Sequence, residues 1–84
     1  MIHETTPDFW AAYNALPPEV QELADKNYQL LLGNPSHPSL QLKQAGEYWS
    51  VRVGMHYRAI AVREDNLFSW FWIGTHAEYD KLLA

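Results

Sequence analysis

Cysteine is absent from this chain, so neither a disulfide nor a thiolate site can be built. The four glycines are scattered, and neither a Gly-rich phosphate loop nor a nucleophile elbow occurs. The four histidines lack an H-x₃-H spacing and the carboxylates show no paired metal pattern, so no metal ion or cofactor is expected. No apolar run approaches the roughly 18 residues of a membrane span. No basic segment leads into an apolar one at the start, as a secretory signal would require. The expectation is a cytoplasmic protein without a membrane partner, and the missing cysteine fits a reducing compartment. Positive charge is also short: 6 Lys and Arg stand against 10 Asp and Glu, a net −4. That balance argues against indiscriminate binding to nucleic acid.

What is present is a small core rich in rings. The 84 residues suffice for one domain, 1–84, near the lower size limit for a fold without a staple, and 4 Trp, 5 Tyr and 3 Phe supply much of its apolar area. Charge is unevenly distributed: residues 1–39 sum to −4, residues 40–63 to +3 and residues 64–84 to −3. The cations of the middle segment are Lys43, Arg52, Arg58 and Arg63, a local basic face with acidic flanks.

Thr6-Pro7-Asp8 predicts a helix start: an N-cap, a proline at the first helical position and an acid in the first turn. Phe9, Ala12, Tyr13 and Leu16 follow at helical spacing, and Pro17-Pro18 ends that helix and opens another. Val20, Leu23, Ala24, Asn27, Tyr28 and Leu31 line one face of the second, with one polar interruption, until Gly33-Asn34-Pro35 stops it. So short a link predicts a helical hairpin. Leu40, Leu42 and Lys43 suggest a short strand, and Gly46 a turn. Residues 48–53, 57–63 and 67–73 are aromatic and β-branched runs separated by short polar breaks, which predicts an antiparallel meander. Alternation should send Trp70, Phe71 and Trp72 to opposite faces, chiefly for packing. Thr75 and Glu78 have the spacing of a capping box, and Tyr79, Leu82 and Leu83 stripe a last helix. The fold class is α+β: an N-terminal helical hairpin packed on a three- to four-stranded antiparallel sheet, with a short C-terminal helix.

LPPEVQELADKNYQLL, NPSHPSLQLK, WSVRVGMHYRAIAV and WFWIGTHAEYDKLL together resemble the RelE/ParE superfamily, the small toxins of bacterial type II toxin–antitoxin systems. The likeness runs from Phe9 onward and is nearest the HigB- or RelE-like branch. It implies a RelE-like microbial RNase fold that cuts mRNA on the ribosome without metal, held inactive by a cognate antitoxin; the alternative is a non-enzymatic, ParE-like toxin of DNA gyrase or a scaffold that only binds its antitoxin. Members usually open with a β-strand, for which Met1–Thr5 is barely long enough, and ribosome-dependent members are typically basic.

Cleaving RNA without metal takes a base for the 2′-hydroxyl, a cation for the phosphorane and an acid for the leaving 5′-oxygen. Arg52 and Arg58, on neighbouring strands, suit the second task because a guanidinium pairs with two phosphate oxygens; solvated arginines, or pairs with Glu47 or Asp80, are the plain alternative. His76, a residue type able to act as acid or base, matches the superfamily's C-terminal His/Tyr region, although a first-turn position facing water would look the same. Tyr79 could stack on a base or donate a proton, or could serve the core. Lys43 matches a basic position of relatives, or is an edge lysine that blocks sheet pairing. His56, in a turn, and Arg63, on the basic segment, complete the candidate RNA-binding set. Glu78 is better explained by capping than by catalysis, and His3 and His37 have no motif behind them.

Overall fold

A computed structural model describes residues 1–83. Strand β1 (Ile2–Thr5) leads into helices α1 (Pro7–Asn14) and α2 (Pro18–Gly33), a single 3-10 turn (Pro38–Leu40), strands β2 (Lys43–Ala45), β3 (Tyr48–Val53), β4 (Tyr57–Glu64) and β5 (Leu67–Thr75), and helix α3 (His76–Leu83).

The hairpin forms for the local reasons its sequence gives. The Thr6 hydroxyl accepts the Phe9 amide at 3.2 Å, with Pro7 at the first helical position. The Tyr13 hydroxyl donates to Asp25 at 2.8 Å and the Gln21 amide to the Tyr13 carbonyl at 3.0 Å, so α1 and α2 are tied side chain to chain. Asn27, the polar interruption on α2, donates to the Arg52 carbonyl at 3.0 Å and so fastens α2 to β3. Tyr28 departs from the expected buried face and stays 42 % exposed.

The sheet is larger than expected. It has five strands in the order β1-β5-β4-β3-β2, and it is mixed, because β1 runs parallel to β5. The three- to four-stranded antiparallel reading is corrected on both counts. Parallel pairing of Glu4 with Ser69 joins residues 65 apart, which no local pattern reveals. The expected strand at Leu40–Lys43 is displaced: Gln41 takes a left-handed φ of 45° after the 3-10 turn, and pairing begins only at Lys43. A bulge between Ile60 and Ala61 corrects a third expectation. Ile60 lies opposite Trp72 and Ala61 opposite Trp70, which leaves Phe71 as the extra residue of β5. Trp70 turns to the helices and is buried, whereas the Phe71 ring sits 5.8 Å from the Tyr48 ring on the other face.

The core lies between the helical hairpin and one face of the sheet, where Leu31, Leu40, Val51, Val53, Ala59, Ala61, Phe68, Trp70 and Ile73 cluster. Alternation leaves Tyr48, Ser50, Arg52, Arg58 and Ile60 on the opposite face, which α3 crosses. Among the described residues no helix is long and apolar enough to cross a membrane.

His3 anchors β1. Its Nδ1 accepts the Trp70 indole N–H at 3.0 Å, and its ring stacks on Phe68 at 5.2 Å. Burial pushes its pKa below the ordinary histidine value, and the N-terminal ammonium adds to that. A folded pKa below the unfolded value of about 6.5 means a contribution fully present above that pH and lost as pH falls through the folded value. Denaturation midpoints measured from pH 7 downward should therefore fall more steeply in the native sequence than in His3→Gln; equal slopes would remove His3 from the account.

Candidate functional site

On the face opposite the hairpin, Arg52 of β3 and Arg58 of β4 are direct cross-strand partners, and Gly74 of β5 lies opposite Arg58 on its other side. Like charges set directly opposite destabilise a sheet. Among the described residues no carboxylate lies within ion-pair distance of either guanidinium, so one of the two plain alternatives, a pair with Glu47 or Asp80, is not formed. The Nε atoms of both arginines are buried without a hydrogen-bond partner. Two opposed cations with no carboxylate partner make an arrangement that an anion completes.

The two arginines differ in access. Arg52 is half-buried, while Arg58 is only 2 % exposed. The Arg58 Nη2 donates to the Ser50 hydroxyl at 2.9 Å and to the Gln41 carbonyl at 3.3 Å, and the Tyr79 ring covers the guanidinium with its centroid 5.0 Å from Cζ. Burial pushes the Arg58 pKa down, Tyr79 opposes that shift, and the neighbouring Arg52 adds to it. All the direct partners are neutral, so its charge is desolvated without being cancelled.

Tyr79 is brought to the site by α3. It is 6 % exposed, and its hydroxyl donates to the Ser50 oxygen at 3.2 Å. Ser50, itself 0 % exposed, therefore receives both Arg58 and Tyr79. Ser50 and Gln41 were not singled out in the sequence; the only signal was a small polar residue inside a strand two positions before Arg52. The capping box holds α3 in place. The Thr75 hydroxyl accepts the Glu78 amide at 3.1 Å, and the Glu78 carboxylate accepts the Thr75 amide at 3.0 Å and hydroxyl at 2.9 Å. Those bonds from Thr75, the backbone amide first, hold the Glu78 carboxyl below its usual pKa. The carboxylate is occupied by capping.

His76 opens α3 and remains exposed, with its Nδ1 3.2 Å from Asp80. Its amide donates to the His56 carbonyl at 2.7 Å, which joins α3 to the turn between β3 and β4. Asp80 thus orients His76 and forms no ion pair with an arginine, although its charge still favours the Arg58 cation at longer range. His56 is exposed in that turn, at the arginine end of the sheet. Lys43, opposite Ser50 on the edge strand β2, is exposed and shares the arginine face. Arg63 does not join them. It lies on the helix-packed side of β4, its guanidinium 4.9 Å from the ring centroids of Trp49 and Phe68, and its Nε donates to the Asp65 carbonyl at 2.7 Å. Its separation of five residues from Arg58 already implied opposite faces. Among the described residues no three His, Asp or Glu side chains are grouped to hold a metal ion.

The sequence matches the family model of the ParE-like toxin domain over residues 20–81. No curated protein sequence matches it significantly. The fold is similar to that in the RelB–RelE antitoxin–toxin complex of Methanococcus jannaschii, at a TM-score of 0.72 and 12 % identity, over 95 % of this chain and 98 % of that one. It is also similar to YafQ of Escherichia coli BL21(DE3), at 0.67 and 18 %, over 92 % and 94 %. The isolated RelE toxin of E. coli matches at 0.63 and 14 %, over 99 % and 98 %. The chain belongs to the ParE-like toxin domain family, within the RelE/ParE toxin superfamily.

Proposed function

We propose that this protein is the toxin of a toxin–antitoxin pair, acting in the cytoplasm as a RelE- or HigB-like, metal-independent endonuclease on ribosome-bound mRNA. The observation that supports it is the opposed Arg52–Arg58 pair with both Nε donors buried and unpartnered. A phosphodiester would accept from Arg52 directly, while Arg58, fixed from behind by Ser50 and Tyr79, adds charge at close range. The 2′-oxygen attacks phosphorus and the bond to the 5′-oxygen breaks, leaving a 2′,3′-cyclic phosphate and a free 5′-hydroxyl. One group takes the 2′ proton and another supplies the 5′ proton, so no net proton is consumed. His76 is the better proton-transfer group of the two candidates: Asp80 holds its Nδ1 and leaves Nε2 available, whereas the Tyr79 hydroxyl already donates to Ser50. Lys43 and His56, on or beside the same face, would meet flanking phosphates. The partner is a cognate antitoxin.

A second reading has its own observation. Arg58 is enclosed, and the chain carries net −4, which suits a protein-binding toxin directed at gyrase, or a scaffold that only binds its antitoxin, better than a ribosome binder. Induced expression without antitoxin, following translation and DNA synthesis in one culture, separates these. Early loss of translation with transcripts cut inside reading frames is expected. Early loss of DNA synthesis would move the target to gyrase, and no arrest would leave a scaffold.

A further inference from the structure

We infer that Trp72 is a nucleobase-stacking platform beside the arginine pair, so that the site takes a nucleotide by its base as well as by its phosphate. The inference rests on the RNA reading given above. It starts from the bulge: because Phe71 is the extra residue of β5, both Phe71 and Trp72 leave the core and reach the arginine face. Trp72 pairs with Ile60, and Gly74, two residues on, pairs with Arg58. The benzo ring of Trp72 lies over Gly74: a Cβ added there would meet Cη2 at 2.7 Å and Cζ2 closer still. The indole therefore occupies the place of the side chain that would otherwise flank Arg58. Gly74 itself lies one strand spacing, roughly 5 Å, from the Arg58 backbone.

Glycine at 74 has a reason on this account. Its backbone is not in the left-handed region, so conformation does not demand glycine; the demand comes from the ring above it. The indole stays half-buried although α3 packs on the same two strands, so part of it remains accessible. A flat ring beside two cations suits single-stranded nucleic acid, where bases stack on aromatic side chains and the backbone is held by charge. The Glu78 carboxylate, 3.1 Å from the same built Cβ, borders this spot but is held by Thr75, and a base brings no charge against it.

The test uses ribosomes programmed with a synthetic mRNA carrying a single abasic position, moved through the exposed codon. Cleavage is measured below saturation for the native protein, Trp72→Ala, Trp72→Phe and Gly74→Ala. One abasic position should slow the native protein roughly 5- to 100-fold, the range that losing one base–aromatic stack gives. Trp72→Ala should show a similar loss with the intact mRNA and no further loss at that position. Trp72→Phe should retain most of the rate, and Gly74→Ala, which keeps the indole but displaces it, should resemble Trp72→Ala. Cleavage that depends on Arg52 yet ignores every abasic position would overturn the stacking role and leave the phosphate clamp standing. An abasic penalty that persists unchanged in Trp72→Ala would also overturn it. Absence of cleavage with every mRNA would instead remove the nuclease reading, and the platform with it. The abasic comparison in the native protein needs no variant to fold.

Discussion

Replacing Arg58 by methionine should make the protein more stable and abolish its activity. The arginine is 2 % exposed, faces Arg52 across the strand pair, and has only neutral partners in Ser50, Gln41 and Tyr79. Its buried charge is therefore a cost that the fold carries without an ion pair. Methionine fills much of the same space with no charge to desolvate, and the Tyr79 hydroxyl still has Ser50 to donate to. The expected gain is about 1–2 kcal/mol in denaturant unfolding, the low end of what replacing buried charged groups with apolar ones of similar volume has given. Toxicity on induction should disappear in the same variant. That combination, stability up and function down, marks a residue kept for function against the interest of the fold. Destabilisation by a comparable amount would mean instead that Arg58 serves mainly to fasten α3 and the Gln41 loop to the sheet.

Arg52→Ala should produce a large catalytic loss without that change in stability. Arg52 is the more accessible of the pair, and no side-chain hydrogen bond of its own would be lost. Asn27 bonds to the Arg52 backbone carbonyl, which alanine retains. Removing one preorganised donor to a developing charge costs on the order of 10² to 10³ in rate. Single-turnover cleavage of ribosome-bound mRNA should fall by that factor while the unfolding midpoint stays within the ordinary range of surface substitutions, about 0.5 kcal/mol. Arg52→Lys should recover only part of the rate, because an ammonium cannot present the planar fork. An unchanged rate in Arg52→Ala would exclude the clamp, and a binding-only toxin would then explain the fold better.

Much of the local structure was legible in the chain because its causes are local. Thr6 and Pro7 start α1, Pro17-Pro18 separates the helices for want of backbone donors, and Thr75 with Glu78 caps α3, each within a few residues. The three central strands lie where aromatic and β-branched residues alternate, and alternation also put Ser50 and Arg52 on one face. The clustering of cations between residues 40 and 63 was visible as well, but not its division: Lys43, Arg52 and Arg58 share a face that Arg63 does not.

The sequence by itself determined the helical hairpin, the three central strands, the capping of the last helix and the candidate cations, since propensity, capping and period-two patterning act within a few residues. Only the tertiary structure decided that β1 joins the sheet beside β5, that a bulge turns Phe71 and Trp72 toward the arginines, and that Ser50 holds both Arg58 and Tyr79. Pairing between distant segments, and the burial of one arginine beside another, depend on which surfaces meet after the chain collapses. No short window of sequence carries that information.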